Sequence, residues 1–311
     1  MKFKKALLIN IDGPALDKKY WEKLDQLIDK RVYLPKDSSD IEKELPDTDC
    51  LLVGFGVPVT KEQIDRAPDL KYIGVLATAF GKIDVDYAGK RNIPVCNLAG
   101  YSTESVAEFT IAAILEHIRG LEEGKKRGRE GKYPEEGMSA KEIKGKVFGI
   151  IGLGSIGRRV GELAQGFNAD VRYWSRNKKE VPFGYRDADS LIAEADFLSI
   201  NLAQTPDTES FLNKRRLDSL KEGAVVINTT PMELVDIDAL AEKLSKNDIT
   251  FILDHSDEMS KEDLAKLSKY ENCIIYPPIA YITGEARINK QELFISNIQS
   301  FLSGKPTNKV N

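Results

Sequence analysis

Cysteine and histidine are scarce: 311 residues hold three of the first and two of the second. Cys50, Cys96 and Cys273 lie far apart with no CxxC spacing, which excludes a disulfide framework and a thiolate zinc site. Buried free thiols and no metal are the expectation. No apolar stretch approaches the roughly eighteen residues that a membrane span requires, and the opening MKFKKALLINIDG carries no small-residue cleavage site. Positive charge is not in excess either. A formal net charge of −4 and a pI near 5.6 leave no broad positive field, so neither nucleic acid nor an anionic membrane is an expected partner. The one basic run, Lys125-Lys126-Arg127-Gly128-Arg129, is flanked by Glu122, Glu123 and Glu130 and reads as a solvated helix end. There is no internal repeat and no low-complexity tract. These absences point to a soluble globular protein of a reducing cytoplasm.

With 41% hydrophobic residues, the chain has enough apolar material for two domains of ordinary size. Short apolar runs at Ala6–Ile11, Asp49–Gly54, Lys71–Leu76 and Ile93–Asn97 end in Gly, Pro, Asn or Asp, as strands do. Helical patterns at Leu16–Asp29, Thr60–Arg66 and Asp84–Arg91 separate them. Alternation of this kind predicts a parallel sheet with crossover helices. A long helix is expected over Ser102–Arg119, with Ser102 or Thr103 as its cap, followed by a charged, glycine-containing segment, Gly120–Gly145. A second series then offers six strands, at Val147–Ile151, Val171–Trp174, Phe197–Asn201, Ala224–Asn228, Phe251–Asp254 and Ile274–Tyr276. The fold class predicted is α/β with two Rossmann-like, doubly wound parallel sheets. Residues 1–100 with 283–311 form one domain and 101–282 the other, and a last helix over Asn289–Leu302 returns to the first.

The most informative feature opens the second series. The buried run Lys146–Ile151 leads directly into Gly152-Leu153-Gly154-Ser155-Ile156-Gly157 and then into a helical stretch. Strand, glycine turn and helix together make a dinucleotide-binding turn. Gly152 permits the tight turn, Gly154 lets the backbone approach a pyrophosphate, and Gly157 lets the helix pack on the strand. An NAD site places a carboxylate about twenty residues further on, at the end of the second strand, to receive the ribose hydroxyls. Here that position is Ser175, followed by Arg176-Asn177-Lys178-Lys179. A group that would repel a 2′-phosphate is missing and donors that could hold one are present, so NADP(H) is favoured, with Arg176 as the forked donor and Lys178 beside it. The alternative stays open: Arg176 lies beside adenine and the site takes NAD(H).

The segments around this turn resemble the D-isomer-specific 2-hydroxyacid dehydrogenases, a family that includes glyoxylate/hydroxypyruvate reductases and phosphoglycerate dehydrogenase. The likeness rests on Leu70–Thr78, on Ile93-Pro94-Val95 through Gly100–Glu108, on the glycine turn, on Thr205–Thr208, and on Ile227-Asn228-Thr229 with Leu234-Val235-Asp236. It runs from about Leu70 to Leu302; earlier it is one of pattern alone. The resemblance implies a formate/glycerate dehydrogenase-like architecture, a substrate domain beside the dinucleotide-binding domain, a small-molecule ligand in the cleft between them, and a homodimer. It adds Ala203, Thr208, Thr229 and Asp254 to the cofactor-binding set, and Thr78, Ala79, Phe80, Pro231, Met259 and Pro278 to the substrate cleft.

The resemblance also implies a catalytic arginine, glutamate and histidine, and the chain has none of them in place. Pro231 follows Asn228-Thr229-Thr230 where the arginine belongs, Pro278 follows Pro277 where the histidine belongs, and the glutamate position falls on Met259. A one-residue slip would bring Glu258 there. Proline and methionine can supply neither the charge nor the proton. The substrate loop departs as well, with Ala79 where a glycine is usual and Lys82 as either a substitute cation or an exposed turn lysine. Of the two histidines, His117 reads as structural, whereas His255, directly after Asp254, is a catalytic candidate together with Lys82 and Tyr101. Three readings follow: an NADP(H)-binding oxidoreductase with an unusual substrate or mechanism, a catalytically silent dinucleotide sensor, and a plain dehydrogenase with residues such as Arg287 and His255 recruited from elsewhere in the chain.

Overall fold

The computed structural model describes residues 2–132, 137 and 140–311, which fall into two compact units. Part of the expected charged segment, residues 133–136 and 138–139, lies outside the described residues. One unit comprises the chain up to Ser102 together with Thr283–Asn311, and the other Thr103–Ile282.

In the first unit five parallel strands, β1 (Phe3–Ile9), β2 (Ile28–Leu34), β3 (Cys50–Val53), β4 (Tyr72–Val75) and β5 (Val95–Cys96), stand in the order β2-β1-β3-β4-β5. The expected helix over Leu16–Asp29 is corrected. The helix occupies only Lys18–Asp25, and the chain enters β2 at Ile28. As an edge strand, β2 buries Ile28 and leaves Asp29, Lys30 and Arg31 in water, so its sequence looks unlike the apolar inner strands. The inner strands are buried on both faces. Leu7, Leu51, Val53 and Ile73 face one apolar cluster, while Ala6, Leu8, Leu52 and Tyr72 face another. The second cluster is completed by Phe294, Ile295 and Ile298 of the helix Gly284–Leu302, which ties the C-terminal segment to this sheet. That helix starts five residues before the expected Asn289, because the Thr283 side chain accepts from the Ala286 N–H and caps it.

Among the described residues the second unit has seven parallel strands rather than six: β6 (Val147–Ile151), β7 (Asp170–Trp174), β8 (Gly184–Tyr185), β9 (Phe197–Ile200), β10 (Ala224–Asn228), β11 (Ile249–Leu253) and β12 (Cys273–Ile275). Their order is β12-β11-β10-β9-β6-β7-β8. The strand missed is β8, two residues long. Period-two alternation divides the side chains between two cores: Val225, Ile227 and Ile252 point to one, and Val226, Phe251 and Leu253 to the other. Each such side chain contributes about 1.5–3 kcal/mol on burial, which holds the strand register and with it every loop at the strand ends. The chain goes from β6 to β7 on one side and returns to β9 on the other, so the sheet reverses direction beside β6. In open α/β sheets the crevice past the strand ends at that reversal is where ligands bind.

Candidate functional site

At this crevice Gly152 has φ +94°, and a Cβ there would lie 2.6 Å from the Asn201 carbonyl oxygen just past β9. Only glycine can turn here. A Cβ at Gly157 would collide with the Gly152 carbonyl oxygen, so the helix Ser155–Gly166 sits against the turn at backbone distance. Gly154 is different: a Cβ there meets nothing within 4 Å, and the residue is exposed with ordinary φ of −81°. Neither packing nor dihedral demands a glycine at 154. The demand that remains is room above the turn. Gly154 is also the helix cap and offers no side-chain acceptor, so the N–H groups of Ser155, Ile156 and Gly157 keep their capacity for an anion. This turn fits a dinucleotide pyrophosphate.

Beyond β7, Ser175 is buried and its hydroxyl donates to the Asn177 carbonyl at 2.6 Å, which shapes the loop that presents Arg176. Arg176 is exposed and lies 3.4 Å from Asp207 Oδ2, while the Lys178 ammonium stands over the Tyr185 ring. Asp207, overlooked in the sequence, thus faces the cation expected to take a 2′-phosphate. It belongs to the turn Pro206–Thr208, in which the Thr208 hydroxyl donates to the Ala203 carbonyl at 2.8 Å. Thr208 is therefore occupied in holding the loop.

Past β10 the fully buried Asn228 anchors the next turn. Its side-chain amide donates to the Thr230 carbonyl (2.8 Å), and its Oδ1 accepts from the Thr230 hydroxyl (2.6 Å). Thr229 and Pro231 flank that anchor. Past β11 comes a group of ionisable side chains. Asp254 is 1% exposed; its Oδ2 accepts from the Ala280 N–H at 3.0 Å, and its Oδ1 has no hydrogen-bond partner. His255 Nε2 lies 3.8 Å from Asp254 Oδ1, and its Nδ1 lies 3.6 Å from Glu258 Oε2. Burial pushes both the Asp254 and Glu258 carboxyls above the usual carboxylate range, with the His255 charge opposing the rise. Asp257 raises both, and Glu233 also raises Glu258. Asp254 and His255 are thus brought together as two expected site residues, and Glu258 joins them one position before Met259. The Ala280 contact ties this group to the segment just after Pro278. His117 hydrogen-bonds Thr250 at 3.0 Å, in keeping with a structural role.

The remaining expected residues are in the first unit. Thr78, Ala79 and Phe80 follow β4; the Thr78 hydroxyl donates to the Leu98 carbonyl (3.1 Å), and the Asn97 amide donates to the Thr78 carbonyl (2.7 Å). Lys82 is exposed. Tyr101 is half-buried with the Lys290 ammonium 5.8 Å from its ring centre. No group of three or more His, Cys, Asp or Glu side chains among the described residues is arranged to hold a metal ion, and no helix is long and apolar enough to cross a membrane. The three cysteines are buried and free.

A family model described as D-isomer specific 2-hydroxyacid dehydrogenase, NAD binding domain, matches residues 111–280. A hydroxypyruvate reductase of Blautia hydrogenotrophica is 29% identical over 94% of this chain and 94% of its own length. A glyoxylate reductase of Thermococcus litoralis is 31% identical over 86% of this chain and 85% of its own. Among solved structures, an acyclic imino acid reductase in complex with NADPH and D-arginine superposes with a TM-score of 0.86 at 28% identity, covering 98% of this chain and all of the other. D-Lactate dehydrogenase of Aquifex aeolicus, in complex with NAD and lactic acid, gives 0.82 at 27% identity, covering 96% of each.

Proposed function

This chain belongs to the D-isomer-specific 2-hydroxyacid dehydrogenases, and from that footing we propose that it is an NADP(H)-dependent reductase of a carbon–nitrogen double bond beside a carboxylate, a 2-imino acid. The observation that carries the reading is a reversal of charge. Where the family resemblance implies a cation and a proton donor, the chain has Pro231 and Pro278, and the ionisable groups nearby are the carboxyls Asp254 and Glu258 around His255. A carbonyl taking up hydride becomes an alkoxide that must be protonated, so it needs a general acid. A protonated imine already carries its proton and its positive charge; hydride adds to the carbon, and the nitrogen keeps the proton as amine. Carboxylates beside that nitrogen hold it in the protonated, electrophilic form. The NADPH-bound imino acid reductase, 28% identical over nearly the whole chain, supports the same reading.

Gly152, Gly154, Ser155, Ile156 and Gly157 would hold the pyrophosphate, Arg176 and Lys178 the 2′-phosphate, and Ala203 and Thr229 the remainder of the dinucleotide, with Thr208 shaping the loop that carries Ala203. Bound there, NADPH would supply the hydride. His255 stands between Asp254 and Glu258. A homodimer in the cytoplasm is the assembly and place expected from the family. The test is loss of nicotinamide absorbance with NADPH and a 2-oxo acid, with and without ammonium or methylamine. Turnover that depends on the amine is expected, whereas equal turnover without amine would overturn the reading. Prolines at both positions also favour a second reading, a silent sensor. It predicts that NADPH binds with no turnover on any substrate and changes the scattering profile.

A further inference from the structure

Arg176 follows β7 and Asp207 follows β9, and in the sheet those two strands stand on either side of β6, whose end carries the glycine turn. Their ion pair, Arg176 Nη2 to Asp207 Oδ2 at 3.4 Å, therefore joins the two loops that flank the turn. Both loops are fixed from within. The Ser175 hydroxyl donates to the Asn177 carbonyl across Arg176. The turn Pro206–Thr208 is closed by the Thr208 hydroxyl, which accepts from the Thr205 N–H and donates to the Ala203 carbonyl, both at 2.8 Å. The pair can thus part by side-chain rotation alone. It is also weakly made: one nitrogen reaches one oxygen, and the two side chains are 72% and 82% exposed. Arg172 is held otherwise, half-buried and shared between Asp170 on its own strand and Glu194 of the helix Ala188–Glu194.

An exposed, single-point ion pair contributes little, because water and salt screen it. A phosphate monoester carries about −1.5 to −2 charge at neutral pH and three acceptor oxygens, so it matches the forked guanidinium as one Asp207 oxygen does not. We infer that Asp207 is a specificity-determining residue of the dinucleotide site: it occupies Arg176 while no 2′-phosphate is bound, and a 2′-phosphate must displace it. The inference rests on the reading of Arg176 as the donor to that phosphate, and it adds the group that opposes the binding. A dinucleotide with a free 2′-hydroxyl leaves the pair intact, whereas one with a 2′-phosphate has to break it. Asp207 thus lowers the affinity for NADPH alone and narrows the gap between NADPH and NADH. Its removal makes the site more exclusive for NADPH. No spacing marks the residue in the sequence, since 31 positions separate it from Arg176.

NADPH and NADH differ only in the 2′-phosphate, and calorimetry with both on the full chain compares wild type, Asp207→Asn, Arg176→Met and the double variant. Release of an exposed ion pair should tighten NADPH binding by about 2- to 5-fold in Asp207→Asn, with the NADH affinity unchanged. Arg176→Met should weaken NADPH by about 10-fold or more through loss of a charge-assisted contact. In that background Asp207→Asn should bring no gain, because the residue it competes for is gone. An unchanged NADPH Kd in Asp207→Asn overturns the inference. So does an equal gain for NADH, which would mark a general effect of lost negative charge. The same gain in the Arg176→Met background also overturns it, since Asp207 would then act on the ligand and not on Arg176. Two other outcomes strike the reading beneath the inference and the inference with it: an Arg176→Met protein that binds NADPH as tightly as wild type removes Arg176 from the 2′-phosphate, and a wild type that binds neither ligand removes the dinucleotide site.

Discussion

Alanine at Gly154 should separate folding from cofactor binding. The residue has φ −81° and ψ −163°, which alanine adopts without strain, and a Cβ has nothing within 4 Å to strike. Restricting the unfolded chain stabilises by about 0.4–1 kcal/mol, and replacing glycine by alanine at a helix cap costs about as much. The free protein should therefore be within about 0.5 kcal/mol of wild type. Over the 103–282 unit that is a shift of at most roughly 2 °C in melting temperature. The bound protein should differ sharply, because the methyl occupies the room that a pyrophosphate needs. Wild type at 100 times its Kd for NADPH gains about 2.7 kcal/mol from the ligand. A 100-fold weaker variant at the same concentration gains about 0.4 kcal/mol. Thermal melts with and without NADPH measure both quantities on one plate. A Gly154→Ala protein that keeps the whole ligand-induced shift would refute the assignment of this turn to the dinucleotide. Gly157→Ala is the counterpart: its methyl meets the Gly152 carbonyl, so the free protein should lose about 1–3 kcal/mol before any ligand is added.

Ser175→Asp puts a carboxylate where a 2′-phosphate would lie and should weaken NADPH by about 10-fold or more while favouring NADH, read as the ratio of the two Kd values by nicotinamide fluorescence; an unchanged ratio would remove Ser175 and Arg176 from cofactor choice. Asn228→Ala leaves the Thr230 groups without partners past β10 and should destabilise by about 1–3 kcal/mol in urea melts, with reductase activity falling further than stability. Asp254→Asn keeps an acceptor for the Ala280 N–H and removes a buried charge. Because the folded-state pKa of Asp254 is raised, the stability it contributes is full below the ordinary carboxylate range and is lost as pH rises through the raised value. Asp254→Asn should then gain stability relative to wild type between acid and neutral pH, and parallel pH profiles of the two proteins would contradict the shift.

Legibility in the sequence followed burial. β3, β4, β9 and β10 are buried along their length, so their continuous apolar runs had no competing explanation. β2 and β8 escaped for a physical reason. An edge strand with Asp29-Lys30-Arg31 in water carries no apolar run, and two residues such as Gly184-Tyr185 carry no period at all. The glycine turn was legible because a positive φ at Gly152 and backbone contact at Gly157 are constraints on residue type itself, local to six positions. The ionisable group past β11 was only half legible. Asp254 and His255 are neighbours in the chain, but the approach of Glu258 to His255 depends on the short helical turn Ser256–Glu258, and the orphaned Asp254 Oδ1 depends on what folds around it. Chemistry that resides in a residue type can be read from the chain, whereas chemistry that resides in desolvation requires the fold. The two prolines are the reading that joins them, since a sequence can show that a cation and a proton donor are gone, and only the packing of carboxyls around His255 suggests which charge the ligand must bring in their place.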